Sequence, residues 1–379
     1  MGKDKKGILF FLIIAVGGLL FSSPQASAQQ GITENIWTQR LYELSSPYLP
    51  KDRIKLFFIG DVMLHSAQID RDYTPFLEDL KPRVQDADIS VANMEFPLGG
   101  KPYTGYPSFS APDSYADYIA GLGFDVFLTA NNHIYDRGAA GLERTLKKYS
   151  SMESVRFTGA YGNCVADSLV NPLIIIEKGF KIAFVNLTYG TNYGTPSNES
   201  GTGICLLKEK EIDKLFSRAK NAGADYIIAL PHWGEEYFLK HNRTQENQAR
   251  LLAEAGADII IGSHSHVIQD TCSVVTSSGK RVPVLYSLGN AVSNMSLINT
   301  RLELAATIVL ERTFHSEVSL VSLELEFLWC TLPGMFIDNY RTVIVKDRIG
   351  HREDWKEPSD YDNMTSTLER VKKHTGIGK

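Results

Sequence analysis

The chain has 379 residues, of which 43% are hydrophobic and 22% are charged, a composition typical of a globular protein with an ample core. This length allows one large α/β domain or two smaller ones. The formal net charge of −5 argues against nucleic-acid partners, because sequence-independent binding of nucleic acid relies on basic surface patches.

Residues 1–28 have the pattern of a secretory signal peptide. Three lysines precede the apolar stretch Gly7–Phe21, and Ala26-Ser27-Ala28 supplies a small-x-small cleavage site. We therefore predict cleavage after Ala28 and export to the periplasm, the cell surface or the medium. The alternative is an uncleaved anchor that keeps the protein at the membrane, but this stretch is shorter than the about 20 residues that a span needs. Loss of the leader, with three Lys and one Asp, takes the net charge from −5 to −7.

After a lead-in over residues 29–53, strand-like and helix-like segments alternate, as in α/β proteins. Residues 54–346 form the predicted domain, and residues 347–379 form a charged, peripheral tail with a helix at Thr365–Lys373. The predicted helices of the domain are Tyr73–Val84, Ser114–Leu122, Ala139–Tyr149, Lys208–Ala222 and Arg243–Ala255. The predicted strands of its first part are Ile54–Ile59, Asp88–Ala92, Asp125–Ala130, Pro172–Glu177, Lys181–Leu187, Tyr226–Leu230 and Asp258–Ile261.

The four segments after the last of these strands are rich in β-branched and aromatic residues. They are Val282–Leu288, Leu302–Leu310, Val318–Trp329 and Tyr340–Val345. Three of them have little helix between them, which indicates antiparallel strands that complete a second sheet. Two long loops without periodicity, Lys101–Pro112 and Tyr189–Gly203, are candidates for the rim or lid of a pocket.

Five apolar strands each end in a cluster of polar residues of metal-ligand type. The clusters are Gly60-Asp61 with His65, Asn93-Met94-Glu95, Asn131-Asn132-His133, His232-Trp233-Gly234-Glu235 and Gly262-Ser263-His264-Ser265-His266. In an open α/β sheet, ligands bind outside the carboxyl ends of the strands, so the five clusters are expected to share one pocket. This arrangement predicts a hydrolase with a two-metal centre.

The clusters differ in specificity. Asp61 could equally cap a turn, and Asn93 with Glu95 is the least specific cluster. The two imidazoles of His264 and His266, one residue apart, are the strongest single signal. His133 could protonate a leaving group, with Asp136 orienting its ring.

Carboxylate, amide and imidazole ligands without cysteine suit Mn, Fe or Zn. A pair of such ions, about 3.5–4 Å apart, activates water and neutralises charge on a phosphoryl group. The four cysteines are dispersed without a C-x-x-C motif, so a zinc–thiolate site is not expected. Disulfides and buried free thiols both remain possible interpretations of them.

The clusters together resemble the bacterial capsule-synthesis CapA family, which is related to poly-γ-glutamate synthesis proteins and belongs to the calcineurin-like metallophosphoesterase superfamily. The resemblance covers residues 54–290, and its last matching motif is Tyr286-Ser287-Leu288-Gly289-Asn290. It implies a metallophosphoesterase-like, four-layer α/β/β/α sandwich with two divalent metal ions. The implied metal ligands are Asp61, Glu95, Asn132, His232, His264 and His266, with His133 as general acid. His65, four residues after Asp61, is a further candidate ligand from its position alone. The superfamily usually has Asp-x-His in its first motif and a bridging Asp after Gly in its second, whereas this chain has His65 and Glu95.

Two functions follow as hypotheses. The first is a secreted metallohydrolase that acts on a phosphoester or another envelope-polymer bond. The second is a non-catalytic envelope protein that binds an anionic capsular polymer, such as poly-γ-glutamate, for assembly or export. Either protein could work with other capsule-assembly proteins.

Overall fold

The computed structural model describes residues 52–196, 201–313 and 317–378, which lie in one compact unit that begins at Asp52. The signal peptide and nearly all of the lead-in that the sequence predicts lie outside the described residues. Within the described part of the chain, no helix is both long enough and apolar enough to cross a bilayer.

Strands and helices alternate along the first two thirds of this unit. The strands are β1 (Asp52–Val62), β2 (Ile89–Met94), β3 (Val126–Leu128), β4 (Arg156–Thr158), β5 (Ala160–Tyr161), β6 (Leu173–Glu177), β7 (Phe180–Thr188), β8 (Gly203–Ile204), β9 (Tyr226–His232), β10 (Ile259–Ile261), β11 (Thr271–Val275), β12 (Arg281–Leu285), β13 (Asn290–Val292), β14 (Leu302–Arg312), β15 (Val318–Thr331) and β16 (Arg341–Ile344). The α-helices are α1 (Lys81–Asp86), α2 (Asp113–Leu122), α3 (Gly138–Ser150), α4 (Asp167–Val170), α5 (Glu209–Asn221), α6 (Arg243–Ala255) and α7 (Pro358–Thr375).

Two sheets carry most of the strands. The first has the order β16-β15-β14-β1-β2-β3-β4, with β13 paired to the end of β1, and the second has the order β11-β12-β10-β9-β7-β6. β1 to β4 are parallel, and so are β7, β9, β10 and β12 in the second sheet. Because the central strands of both sheets are parallel, their carboxyl ends lie along one edge of each sheet.

The alternation of side chains along the strands builds the layers. Phe58 of β1 packs with Ile182 and Ile228 of the second sheet, so the sheets face each other across a shared core. Phe57, one residue earlier, points to the opposite face and belongs to the core beneath α2 and α3. The outer face of the second sheet is covered by α5 and α6, with Phe216 in its core. These layers form the α/β/β/α sandwich that the sequence predicts. The expectation that the last strands complete a second sheet is wrong, because β14 pairs with β1 and β14 to β16 extend the first sheet.

Local sequence sets the bounds of individual helices. α6 matches its prediction because Asn242 caps its start, accepting from the backbone N–H of Gln245 at 2.9 Å, and Gly256 follows its last residue. The prediction of one helix over Tyr73–Val84 is wrong. A 3₁₀ turn at Glu78–Leu80 comes before α1, because Pro82 has no N–H to continue an α-helix from Glu78.

The C-terminal segment packs more closely than a peripheral tail would. Its helix α7 is longer than the predicted one, and Met364 and Val371 join the core between the sheets. Asp360 at its start forms a buried ion pair with Arg301, with 2.6 Å between Oδ1 and Nη1. The four cysteine thiols are free: Cys205 and Cys330 are buried, and Cys164 and Cys272 are exposed.

Candidate metal centre

The central strands of both sheets end at one site. Asp61 is the penultimate residue of β1, and Glu95 directly follows β2. From the second sheet, His232 is the last residue of β9, while His264 and His266 lie in the loop after β10. All five side chains are buried.

Two groups of potential ligand atoms occur among these side chains. Asp61, Glu95 and His232 form one group, and Glu95, His264 and His266 form the other; within each group the ligand atoms lie within 4.8 Å of one another. Glu95 belongs to both groups, so its carboxylate could contribute an oxygen to a cation in either one.

The carboxylate of Asp61 is held by donors from three directions. The amide of Asn93 donates to its Oδ1 at 2.7 Å, and the backbone N–H of His264 donates to its Oδ2 at 3.2 Å. The Nδ1 atom of His266 lies 3.3 Å from the same Oδ2. Asp61 therefore joins the end of β1 to the histidine loop of the other sheet.

Glu95 provides the test of whether a cation fits. Both of its carboxylate oxygens are buried without a hydrogen-bond partner, although His232 Nε2 lies 3.6 Å from Oε1. Burial, and then the negative charge of Asp61, raise the pKa of Glu95 well above its usual value. A buried carboxylate without donors is costly, whereas a divalent cation would satisfy both oxygens. The donor set fits a metal ion.

The histidines are suited to ligation because neutral imidazole is the form that binds a metal. Burial, followed by the nearby imidazoles, lowers the pKa of His232 and of His264 well below the usual value. Burial also acts to lower the pKa of His266, but the hydrogen bond and charge of Asp61 raise it overall. The Nδ1 atom of His264 is buried with no hydrogen-bond partner, so it too is available to a cation.

The backbone at the histidine loop is in an uncommon conformation. His264 and His266 have φ angles of 98° and 58°, in the left-handed region that residues with a Cβ seldom adopt. Such strain persists where the surrounding structure over-determines it, and it concentrates at functional sites. At the end of β1, Gly60 lets the backbone of Gly289 approach closely. A Cβ at position 60 would lie 2.0 Å from the carbonyl oxygen of Gly289.

His133 lies at the edge of the same site and is oriented by Asp136. Its Nδ1 is 2.8 Å from Asp136 Oδ2, which also accepts from the backbone N–H of Phe109 at 2.8 Å. The Phe109 ring packs edge-on against the His133 ring, with 4.6 Å between centroids. An imidazole whose Nδ1 is bound in this way can present a proton at Nε2.

The structure brings together most of the predicted site residues. Asn132 is in place, with its Oδ1 2.7 Å from His232 Nε2. Among the described residues, His65 belongs to neither ligand group: its Nδ1 accepts from the backbone N–H of Asn294, and its ring packs on Phe109. Burial, followed by the charge of His266, lowers the pKa of His65 to about 4.

Several polar partners of the histidines lie outside the predicted set of ligands and catalytic residues. Ser263 Oγ lies 3.0 Å from His232 Nδ1, and Asn290 Oδ1 lies 2.9 Å from His266 Nδ1. Both lie in motifs that the sequence shows, so their positions could have been inferred. Asn192 carried no such signal; it lies in the loop after β7, where its backbone N–H donates to Asn132 and its amide contacts the His133 ring. Both predicted rim loops thus reach the site.

Fold and site together define a class: two-sheet α/β/β/α proteins with a carboxylate–histidine centre of metal-binding type at the carboxyl ends of their strands. The chain belongs to the bacterial capsule synthesis protein PGA_cap family, whose model matches residues 55–295.

Known proteins of similar sequence are capsule proteins. The chain is 29% identical over 282 residues to the capsule biosynthesis protein CapA of Bacillus anthracis, and 25% identical over 263 residues to the PGA biosynthesis protein CapA of Bacillus subtilis. The matches cover 70% and 66% of this chain, and 66% of each relative's length. Among solved structures, the NAD nucleotidase of Haemophilus influenzae superposes with a TM-score of 0.47 and 11% identity, over 85% of this chain and 61% of that one.

Proposed function

We propose that this chain is a metal-dependent hydrolase of capsule synthesis that cleaves a phosphoester, with two divalent cations at the centre and His133 as general acid. The observation that carries the proposal is Glu95, whose two unpartnered, buried oxygens are shared by both ligand groups. Family membership supports the role in capsule synthesis, including that of the poly-γ-glutamate type.

The residues would divide the work as follows. Asp61, Glu95 and His232 would hold one cation, and Glu95, His264 and His266 the other, with Asn132 beside His232. Bound Mn, Fe or Zn would supply an activated water and neutralise charge on the phosphoryl group. Asn93 holds Asp61 in place, and Ser263 does the same for His232.

His133 would donate the proton that the leaving oxygen takes. Asp136 binds its Nδ1 and orients the ring, which leaves Nε2 to face the departing group. Phe109 and Tyr106 pack against the ring and shield it from water. This pair is separate from both ligand groups, so its loss should leave metal binding intact.

The test is turnover of phosphoesters by purified protein loaded with Mn²⁺, together with metal analysis of His133→Ala. We expect this variant to keep its metal while kcat falls by about 10²–10⁴. His351→Ala, at an exposed histidine, is the matched control and should behave as wild type. The proposal fails if loaded wild-type protein hydrolyses no phosphoester in a broad panel, or if His133→Ala matches its kcat. Polymer binding that survives in His133→Ala without turnover would support the non-catalytic function instead.

We further infer that the protein is exported and meets other capsule-assembly proteins outside the cytoplasm. The support is the sequence of residues 1–28 alone. Mass spectrometry of the protein from its host should find Gln29 at the amino terminus of extracytoplasmic material. Recovery of the chain with residues 1–28 attached, in the cytoplasm, would contradict this inference.

A further inference from the structure

Every exposed tyrosine, phenylalanine or tryptophan side chain among residues 52–196, 201–313 and 317–378 lies in a loop beside the metal centre. We call this set the aromatic rim: Tyr106, Tyr189, Tyr193, Tyr237 and Phe238. Tyr106 is 71% exposed and Phe238 is 61% exposed. Exposed apolar side chains scattered over a surface need no explanation, but a cluster of them marks a binding surface.

Three rings of the aromatic rim contact rings of the centre. Tyr189 lies over His264 with 4.7 Å between centroids, and Tyr237 lies 6.1 Å from His266. Tyr106 lies 6.5 Å from His133, on the side of the general acid. A substrate that reaches the centre therefore passes along aromatic side chains, and its leaving group lies near Tyr106.

The backbone of Tyr237 adopts an unfavourable conformation that a hydrogen bond holds in place. Its φ of 72° is in the left-handed region, and its N–H donates to the carbonyl oxygen of Ser265 at 2.8 Å. Ser265 stands between the two histidines of the loop after β10, so that loop fixes both the candidate ligands and this ring. A costly conformation that presents an exposed aromatic side chain at a site suggests a binding role.

An amide and a carboxylate lie beside the rim. Asn192 lies against His133, and the hydroxyl of each rim tyrosine can donate and accept. Burial, then hydrogen bonding to Glu236 and the charge of that carboxylate, raise the pKa of Tyr237, which places Glu236 beside its hydroxyl. Aromatic faces, hydroxyls, an amide and a carboxylate complement a ligand with apolar C–H faces and many hydroxyl groups.

We propose that the aromatic rim binds a saccharide ring carried by the phosphoester that the centre hydrolyses. This rests on the proposed function and adds the substrate class: a sugar phosphate or a phosphate-linked glycan. The C–H faces of the sugar ring pack on the tyrosines, and its hydroxyls bond to Asn192, Glu236 and the tyrosine hydroxyls.

The kinetic test compares two substrates of the Mn²⁺-loaded protein, N-acetylglucosamine 1-phosphate and the ringless glycerol phosphate. In Tyr106→Leu and Tyr189→Leu we expect the ratio of kcat/KM for the sugar phosphate to that for glycerol phosphate to fall at least about tenfold. Ile176→Ser, at an exposed side chain of the edge strand β6, is the control and should leave the ratio unchanged. An unchanged ratio in both tyrosine variants overturns the proposal.

A binding test separates this proposal from the proposed function. Calorimetric titration of the same loaded protein with an uncleaved N-acetylglucosamine tetramer should give heat that the two tyrosine variants lose. If wild-type protein binds the tetramer but hydrolyses no phosphoester, the proposed function fails and the saccharide surface stands. If adenosine or a γ-linked glutamate oligomer binds instead, and the tyrosine variants lose that binding, the saccharide assignment is wrong.

Discussion

Glu95 is the side chain that both ligand groups share. The loss in the free energy of unfolding that it causes without a cation can be measured. In metal-free protein at neutral pH, we expect Glu95→Gln to unfold at higher urea than wild type, because the buried carboxylate has no donors. Added Mn²⁺ should stabilise wild type strongly and the variant little, since only the native state binds the ion. Glu235→Gln, at an exposed neighbour, is the control. An equal gain in stability from Mn²⁺ in Glu95→Gln and wild type would contradict the assignment.

Glu303 lies beneath the end of β1 and gives a prediction about pH. Its Oε1 accepts from the backbone N–H of Gly60 at 2.6 Å, and its Oε2 is buried without a partner. Burial raises the pKa of Glu303 well above its usual value of 4.5, with Asp61 adding to the effect. In the pH range above 4.5, the folded state keeps a proton that the unfolded state has released, so this group lowers stability as pH rises.

The variant Glu303→Gln keeps the acceptor for Gly60 but cannot ionise. We expect the unfolding free energy of the variant minus that of wild type to increase as pH is raised from about 4 to about 8. Urea unfolding of both proteins over this range gives the difference directly. A difference that stays constant with pH would show that Glu303 does not hold a proton in the folded state.

At the scale of elements, the end of β1 depends on a residue without a side chain. Gly60→Ala would place a Cβ 2.0 Å from the carbonyl oxygen of Gly289, which is backbone and has little room to move. We expect a loss of about 1–3 kcal/mol in the free energy of unfolding, and weaker metal binding because Asp61 is displaced. Equilibrium unfolding and a metal titration check both.

Gly121→Ala is the matched control. Gly121 lies in α2 with no heavy atom within 4 Å of the added Cβ, so alanine should stabilise by about 0.5–1 kcal/mol. If Gly60→Ala is as stable as Gly121→Ala and binds metal normally, the close approach at Gly289 does not position Asp61.

The sequence predicts those site residues that follow a recognisable apolar strand, and it does not predict those that reach the site from loops or distant strands. His264, His266 and Asn132 follow apolar strands, so hydrophobic patterning and strand-end geometry are enough to bring them together. Asn192 lies in a loop, and Glu303 reaches Gly60 from 243 positions away, so neither contact has a local pattern. His65 lies near the same strand end as Asp61, but outside both ligand groups, and its Nδ1 accepts from the backbone N–H of Asn294.

At the scale of the whole molecule, α7 covers part of the inner face of the first sheet that the second sheet leaves free. Its attachment depends on Asp360, which pairs with Arg301 and accepts from Trp329 Nε1 at 3.2 Å. The sequence shows the charged residues of this segment but not the buried side chains that they bind. For this reason it predicts a peripheral tail. The predicted boundary at residue 347 therefore separates a helix from the core to which it contributes.

Asp360→Ala tests this attachment. Removing the carboxylate leaves Arg301 buried without its partner, so we expect a loss of about 3–5 kcal/mol in the free energy of unfolding. Asp362→Ala, which breaks the exposed pair with Arg352, should leave stability unchanged within error. Urea unfolding compares the two, and equal small losses would mean that α7 is held by its apolar side chains alone.

The division of the centre between the two sheets has a consequence for how the protein matures. The first sheet supplies the oxygen ligands Asp61 and Glu95, and the second supplies the imidazoles, in the same order as the ribosome makes them. A nascent chain that ends before His266 carries an incomplete second group of ligands, whatever its folding state. In the proposed metal-bound protein, the second group of ligands is therefore complete only after His266 has been synthesised. The ions that we propose for the centre would then come from the compartment where folding finishes.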